Sequence, residues 1–547
     1  MEKIRPISSP YVVPPPTGKR IRTRLRVSAA DERTLRELGN YLGQLANSDL
    51  AERCRSGTGD ADRTRRKRDL TRRSSWRWAG AITRTSDDQW ACAYRNQALH
   101  VATLRTSIRI IKQRLRAPVG GREGSLRGYS TRAERWDKQR RLQGLQHRLT
   151  RAEERLQSGR VSVVRGGRRL ARARHNLDVA ALSASQWRDV WEARRLFLCA
   201  DGEADKTWGN ETIRVHPDEH WLEVKLPADL SQLANRPHCR YRLSCPAVFS
   251  YRFSEWRAQV EDGAVRYDIL YSPDRGRWYL DASWTYPPLA HPTVDEATAS
   301  GVVAVDLNSG HLACWVVDSN GNPSGSPRSI SFDSASPCSS TLDGRIRSAV
   351  SEVINLARTR GCRTIAIEHL DFRDLKAGGR ERHGRGRRGK QRRRTIAGMP
   401  AGRFRARLLQ MCANQGMWVV AVDPAYTSRW GREHWLSPLQ ERTRTAVSVH
   451  HAAAVVIGRR AIGYRARRRP HVPAGDRRIA YAESCGSGRT WTGRVQGPDH
   501  SNADTAARND AEDRYRRTKL VRDQVAQDRS GRPSVDSNRV DADHKER

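Results

Sequence analysis

The stretch Gly301-Val-Val-Ala-Val-Asp-Leu-Asn-Ser-Gly310 decides how this chain folds. Its apolar run from Val302 to Val305 predicts a strand that is buried on both faces, and the run ends in a carboxylate, Asp306. Two further apolar runs, 311–317 and 329–332, follow after turn residues, so the sequence predicts an antiparallel meander of three strands. Taken alone, Asp306 is better explained as a turn residue than as a functional one.

A second strand of the same kind ends in an acid further along the chain. After a predicted helix over 340–360, the apolar run 363–367 stops at Glu368. Neighbouring parallel strands lie about 4.8 Å apart, so their tips can place two carboxylates on one divalent cation. We therefore expect Asp306 and Glu368 to be catalytic residues that bind a metal ion. Asp423, at the tip of a fifth apolar run, is a reserve metal ligand.

The composition indicates a polyanionic partner. The chain has 547 residues, a net charge of +41 and a pI near 11, which favours a nucleic acid over an anionic membrane surface. No apolar run approaches the roughly 18 residues that a membrane span needs, and the N-terminus lacks the apolar core of a signal peptide. The ten cysteines include no Cys-x-x-Cys pair. We therefore expect a cytoplasmic, nucleoid-associated protein with reduced cysteines and no membrane contact.

The remaining patterns divide the chain into segments. The Pro-rich residues 1–19 are predicted to be disordered. Residues 20–159 predict a basic helical lobe with one initial strand. In this lobe Ser28-Ala-Ala-Asp31 matches a helix capping box, 53–75 is an Arg-rich connector, and apolar stripes mark helices over 76–115 and 129–157. Residues 160–290, where short alternating runs such as 160–164 and 247–253 appear, predict a β-rich domain, most simply a small barrel. An α/β domain is predicted over 299–469, and a disordered basic tail over 470–547. The predicted fold class is therefore multidomain α+β.

Two basic segments predict nucleic-acid contacts. The helical pattern over 76–115 carries the cations Arg105, Arg109, Lys112 and Arg114, with too few acids to balance them. A charged helix face is usually only solvated, but this excess favours a surface that faces phosphates. The Gly/Arg tract 380–394 has no apolar residue, so we expect it to be disordered until it meets a polyanion. Its predicted binding residues are Arg380, Arg382, Arg387, Arg388, Arg392, Arg393 and Arg394.

From Gly301 to about Arg469 the chain resembles the RuvC nuclease domain of the TnpB family, the transposon-encoded relatives of compact type V CRISPR effectors. The resemblance is carried by Val303-Ala-Val-Asp306-Leu-Asn, Ile365-Ala-Ile-Glu368-His-Leu and Gly416-Met-Trp-Val-Val-Ala-Val-Asp-Pro-Ala-Tyr-Thr-Ser428. It implies an RNase H-like nuclease domain, preceded by a helical recognition lobe and a β-barrel wedge domain. It also implies a guide RNA and target double-stranded DNA as partners, with Mg²⁺ or Mn²⁺ as cofactor.

The chain departs from the family at two places. The family's paired Cys-x-x-Cys knuckles are absent where this chain reads Ser428-Arg-Trp-Gly-Arg-Glu-His-Trp435, so no zinc is expected. The family's third acid falls at or beside His450, in Ser448-Val-His-His-Ala-Ala-Ala-Val-Val-Ile457. His450 or His451 then supplies the third metal ligand, which favours Mn²⁺, or acts as a general base.

Three functions remain open on the sequence. The first is an RNA-guided DNA endonuclease, in which Asp306 bridges two cations about 3.5–4 Å apart and Glu368 binds one of them. The second is a nuclease-deficient RNA-guided DNA-binding protein, if the two histidines only pack or bind phosphate. The third is a transposase or resolvase of the RNase H-like superfamily. The large basic lobe favours a bound RNA over the third function.

Overall fold

The computed structural model describes residues 6–57, 61–124, 126–288, 290–332, 339–369, 387 and 400–467. The chain divides into two compact units, Met1–Pro470 and His471–Arg547, and the described residues all lie in the first. The predicted tail at 470–547 lies outside the described residues, as does the basic tract at 380–394 apart from Arg387. None of the described helices is long and apolar enough to cross a membrane.

The described residues form a mixed α/β structure with several sheets and many helices. Its strands are β1 Tyr11–Val12, β2 Gly18–Leu25, β3 Arg122–Glu123, β4 Leu126–Arg127, β5 Cys199–Ala200, β6 Ile213–Val215, β7 Leu222–Lys225, β8 Arg240–Arg242, β9 Arg266–Ser272, β10 Arg277–Thr285, β11 Val302–Leu307, β12 His311–Val317, β13 Pro323–Ser331, β14 Thr364–Glu368 and β15 Trp418–Val422. Its helices are α1 Ala29–Ser56, α2 Ala61–Arg73, α3 Trp76–Arg116, α4 Arg132–Gln157, α5 Arg168–Ala173, α6 Leu177–Ala180, α7 Ala184–Ala193, α8 Phe253–Asp262, α9 Val294–Thr298, α10 Ser339–Thr359, α11 Ala401–Asn414, α12 Thr427–Trp430, α13 Leu436–Arg442 and α14 Val449–Ala461.

A six-stranded sheet in the order β1-β15-β14-β11-β12-β13 carries the C-terminal part of the described chain. Strands β11, β12 and β13 form the predicted antiparallel meander, while β14 runs parallel to both β11 and β15. Because β11 and β14 point the same way, the residues that follow their last buried positions meet at one edge of the sheet.

The alternation of side chains along these strands builds two separate cores. Val303 and Val305 pack on the face covered by α10 and α11, whereas Val302 and Ala304 pack on the face covered by α14. Helix α14 approaches that face closely: a Cβ atom on Gly458 would lie 2.5 Å from Val317 Cγ2 and 3.0 Å from Ala304 Cβ. Gly458 therefore allows the C-terminal half of this helix to lie close against the sheet.

The helical lobe follows the sequence prediction with one change. Ser28 and Asp31 form the predicted capping box at the start of α1. Helices α3 and α4 share a core that includes Ile111 and Leu145, as the apolar stripes predict. The segment 53–75, which we expected to be a connector, instead contains the end of α1 and helix α2. Its Arg66 is 2% exposed and pairs with the buried Asp49 at 2.7 Å, so a buried ion pair holds a helix that has almost no apolar face.

The prediction of a small barrel is wrong. In the described residues, the segment 160–290 contributes to two open sheets, β2-β10-β9-β5 and β6-β7-β8, and neither closes on itself. Two predicted strands, 160–164 and 247–253, are not strands. Helix α8 begins at Phe253, the last residue of the second run, and buries Trp256 and Val260 on one face.

Residues 6–19, which we expected to be disordered, join two sheets. Tyr11 pairs with Ala421 and Val12 with Val420 at the edge of the six-stranded sheet, and the Val13 amide donates to Val419 O at 2.8 Å. Further along, β2 begins at Gly18 and pairs with β10 as an edge strand. Prolines on both sides of the Tyr-Val-Val run keep this first strand to two residues, which is too short for a pattern to predict.

We expect the substitution Val12→Asp to lower the free energy of unfolding by about 3 kcal/mol, because it places a carboxylate in the core beneath α14. Val12 is 5% exposed in that core. The matched substitution Tyr11→Asp, at a neighbouring position that is 38% exposed, should cost less than about 1 kcal/mol. Urea unfolding followed by circular dichroism measures both, and equal losses would contradict the strand register described here.

Candidate active site

The register of the parallel strands brings Asp306 and Glu368 together. Val305 of β11 lies beside Ile367 of β14, and one step further along the same register Asp306 comes beside Glu368. Side chains alternate between the faces of a strand, so both carboxylates share the face on which Val302 packs, the face covered by α14. Both sequence-predicted acids therefore meet at one edge of the sheet.

His450 completes this group from α14. Ser448 caps the helix, and His450 in its first turn places Nδ1 2.9 Å from Asp306 Oδ2. The side chain of His450 is 45% exposed while that of Asp306 is 8% exposed, so the imidazole covers the carboxylate from the solvent side. The hydrogen bond with Asp306 raises the pKa of His450 above its usual value. Within the described residues, Nε2 of His450 makes no hydrogen bond.

His451, one residue further along the helix, belongs to the packing instead. Its Nδ1 accepts from the Ser448 amide at 3.1 Å, and its Nε2 lies 2.9 Å from Ser329 Oγ. The ring is 5% exposed and burial lowers its pKa, which favours the neutral form. With both ring nitrogens engaged by serines, His451 has no nitrogen left for a metal ion or a substrate, and its predicted catalytic role is not supported.

The Glu368 carboxyl group is enclosed by protein atoms although part of the residue remains exposed. Burial raises its pKa to about 8, the negative charge of Asp306 adds to the rise, and the Thr427 hydroxyl and Arg460 oppose it. Thr427 donates its hydroxyl to Glu368 Oε1. A carboxyl group with this pKa is held next to a like charge without enough positive charge to balance it.

Asp423, the predicted reserve ligand, has its oxygens directed to main-chain groups. Its Oδ2 accepts from the Ser8 amide at 3.0 Å and its Oδ1 from the Ala425 amide at 2.8 Å. The Arg460 guanidinium donates to the main-chain carbonyl of Asp423 at 2.6 Å. We therefore interpret Asp423 as the residue that shapes the loop after β15 and docks the N-terminal segment. Its charge still acts on Glu368, whose pKa it raises slightly.

Four residues of the site received no role from the sequence. Asn308 donates to Asp306 Oδ2 at 3.1 Å, and the ring of His311 lies 5.3 Å from that of His450, edge to face. Thr427 and Arg460 contact or face Glu368, as described above. Asn308 sits in the same turn as Asp306, so its proximity could have been predicted. His311 begins the next strand of the same hairpin, so its proximity to Asp306 could have been predicted as well. Thr427 and Arg460 come from distant segments, and no spacing in the sequence links them to the acids.

The donor set suits a hard divalent cation. In the part of the chain that the structure describes, no group of three or more His, Cys, Asp or Glu side chains is arranged to hold a metal ion. Mg²⁺, however, is commonly bound by one or two carboxylates, with waters and substrate phosphates completing its shell. The raised pKa of Glu368 marks a place where a cation would relieve the repulsion between the two carboxylates. Asp306 and Glu368 therefore fit such an ion.

The predicted nucleic-acid-binding cations of α3 fall into two classes. Arg105 pairs with Glu153 of α4 at 2.6 Å, and Arg114 donates to the main-chain carbonyls of Arg127 and Gly128. Arg109 and Lys112 are exposed, and neither forms an ion pair within the described residues. Among the cations of the basic tract, only Arg387 is described, and it is exposed.

We expect the metal-free protein to lose stability as the pH rises from about 4.5 to about 8, the interval between the ordinary and the raised pKa of Glu368. In this interval the folded chain keeps a proton that the unfolded chain releases, so the free energy of unfolding falls, by roughly 3–5 kcal/mol in all. Urea titrations in EDTA at several pH values measure the slope. Glu368→Gln should flatten it, and an unchanged slope in that variant would contradict the raised pKa.

Comparison with known proteins finds weak likenesses to solved structures. No family model matches the chain, and no curated protein matches it. The T. thermophilus RuvC in complex with a Holliday junction substrate is similar at 15% identity and a TM-score of 0.21, over 34% of this chain and 96% of that one. A CRISPR-Cas12f ternary complex is similar at 10% identity and a TM-score of 0.20, over 81% of this chain and 98% of that one. At these TM-scores the assignment of function rests on the geometry of the site.

Proposed function

We propose that this chain is an RNA-guided DNA endonuclease whose catalytic centre is Asp306, Glu368 and His450. The observation that carries the proposal is the pair of carboxylates set side by side by the parallel register of β11 and β14. Such a pair is costly without a cation and has no evident structural role, since neither acid forms an ion pair with Lys or Arg in the described residues. The net charge of +41 supports a large polyanionic partner.

Each residue has a distinct task in this proposal. Asp306 and Glu368 would hold the divalent cation, which when bound supplies Lewis-acid activation of the phosphodiester and of water. Asn308 and Thr427 donate to these carboxylates and orient them. If Nδ1 of His450 donates to Asp306, its Nε2 is the basic nitrogen and faces away from the carboxylate. That nitrogen is then placed to bind a cation or to accept a proton.

A second function, RNA-guided DNA binding without cleavage, is favoured by one observation. His450 occupies the position where the resemblance implies a third acid, and it hydrogen-bonds to Asp306 at 2.9 Å. When that imidazole is protonated, it partly neutralises Asp306 and competes with a cation for the same oxygen. A site with two carboxylates and a hydrogen-bonded imidazolium would bind Mg²⁺ weakly. The rest of the protein would still bind nucleic acid.

The test begins with RNA that copurifies with the full-length protein. We expect a discrete RNA species, whose sequence identifies the guide. The reconstituted ribonucleoprotein is then incubated with a plasmid that contains the matching target, in Mg²⁺ and separately in Mn²⁺. Linear product with the matched plasmid alone supports the endonuclease. Retention of the matched plasmid without cutting in either metal supports the second function, and cutting without any RNA contradicts both.

A further inference from the structure

The helical lobe contains a cavity whose lining residues are distant in the sequence from Asp306 and Glu368. It has a volume of about 910 Å³ and is bounded by α3, by the C-terminal end of α4 and by the loop that leads to α5. Most of its lining residues are polar, and three of them are arginines. The lining residues are Ala93, Asn96, Gln97, Glu154, Arg155, Ser158, Arg160, Val161, Ser162 and Arg168.

The charges of this cavity are unbalanced. Arg155, Arg160 and Arg168 are exposed, and none of the three has an acidic partner among the residues that the structure describes. Arg168 makes one hydrogen bond, to the Ser162 carbonyl at 2.7 Å, which leaves the rest of its guanidinium open. Glu154 is the one acid in the lining. Arg105 of α3, by contrast, has an acidic partner, since it forms an ion pair with Glu153 at 2.6 Å.

The walls of the cavity are held in place without a ligand. The indole Nε1 of Trp90 donates to the Gly159 carbonyl at 3.0 Å, and Gln97 Nε2 donates to the Ala152 carbonyl at 3.2 Å. A Cβ atom on Gly57, which has a φ of 73°, would lie 2.4 Å from the Ser158 carbonyl oxygen, so the end of α1 supports the same turn. Three open guanidinium groups are thus presented by a preformed frame.

We propose that this cavity binds the sugar-phosphate backbone of RNA. Guanidinium groups are the side chains best suited to phosphate oxygens. The amides of Asn96 and Gln97 and the hydroxyl of Ser162 can both donate to and accept from a 2′-hydroxyl, the group that distinguishes RNA from DNA. The cavity lies within the usual size range of ligand pockets. The inference rests on the proposed function in taking RNA as the partner.

The test compares two charge-matched triple variants of the full chain. The first carries Arg155→Ala, Arg160→Ala and Arg168→Ala in the cavity. The second carries Arg132→Ala, Arg148→Ala and Arg151→Ala, three exposed arginines of α4 that do not line it. Fluorescence anisotropy with an oligouridylate probe and its deoxyuridine counterpart measures the dissociation constant of each across a salt series. All six arginines are exposed, and equal unfolding midpoints will show that the variants fold.

We expect the cavity variant to bind the RNA probe at least tenfold more weakly than the wild type at physiological salt, and the control variant about twofold more weakly. The slope of log affinity against log salt should fall by about 2 in the cavity variant, since roughly 0.7 is lost for each single-strand phosphate contact. The single substitution Arg160→Glu should reproduce much of the loss. The deoxyuridine probe should respond less than the RNA probe.

Three results would overturn the inference. Equal weakening by the two triple variants would show that only net charge matters. Equal weakening of the RNA and DNA probes in the cavity variant would remove the assignment to RNA. Failure of the wild type to bind either probe would overturn the proposed function as well, so the two failures are distinguishable.

Discussion

Asp306→Asn and Glu368→Gln should each lower plasmid cleavage roughly a thousandfold, and each should raise the thermal stability of the metal-free protein. The loss of cleavage follows because either change removes a ligand of the cation, worth about 4 kcal/mol in the transition state. Burial is the main cause of the raised pKa of Glu368 and the charge of Asp306 adds to it, so the gain in stability follows because either change removes the repulsion between the two carboxylates. A variant that merely misfolds would lose both activity and stability, so the opposite signs separate catalysis from folding.

Asp318→Asn is the matched control. Asp318 follows the apolar strand β12 just as Asp306 ends the apolar part of β11, but β12 runs the other way and Asp318 lies at the opposite edge of the sheet. Its Oδ1 accepts from the amides of Asn320 and Asn322, so it is a turn residue. Cleavage should be unchanged in this variant. Wild-type cleavage by the Asp306 or Glu368 variant would contradict the catalytic assignment.

The sequence predicted the antiparallel meander and the meeting of the two acids because both follow from local rules. Runs of buried β-branched residues identify the strands, and parallel strands joined by a helix bring their carboxyl ends to one edge. These two rules are sufficient to predict that Asp306 and Glu368 lie side by side. The comparison of Asp306 with Asp318 shows where the pattern alone is insufficient, since an acid after an apolar run marks a functional edge only when the strand direction is known.

The parts that were not predicted depend on tertiary contacts. His450 and His451 are adjacent, and a helix turns by about 100° per residue, so only the docking of α14 decides which of them faces Asp306. That docking is set by Gly458 and the Ser448 cap. Helix α8 was not predicted either, and its Trp256 and Val260 pack in one core with the strands of the two open sheets. No local sequence pattern shows whether these strands form open sheets or a closed barrel.

His450→Asp should raise Mg²⁺-supported cleavage roughly tenfold and lower the ratio of Mn²⁺ to Mg²⁺ activity. The substitution replaces a nitrogen donor by a carboxylate, which Mg²⁺ prefers, at a position 2.9 Å from Asp306. It also removes the hydrogen bond between the imidazole and Asp306 Oδ2, so this oxygen becomes available to a cation. A third carboxylate adds repulsion in the absence of metal, so the metal-free variant should unfold at a lower temperature than the wild type, and added Mg²⁺ should stabilise it more.

The matched control is His451→Asp, which changes the adjacent residue in the same way. His451 is hydrogen-bonded to Ser448 and Ser329 beneath the helix, so an aspartate there should destabilise the fold without any gain in cleavage. His450→Ala separates the two roles of the imidazole. If both His450→Asp and His450→Ala abolish cleavage, then His450 accepts a proton that a carboxylate in its place does not. If His450→Asp cuts where the wild type does not, the wild-type chain is a guided DNA-binding protein whose nuclease site lacks only its third acid.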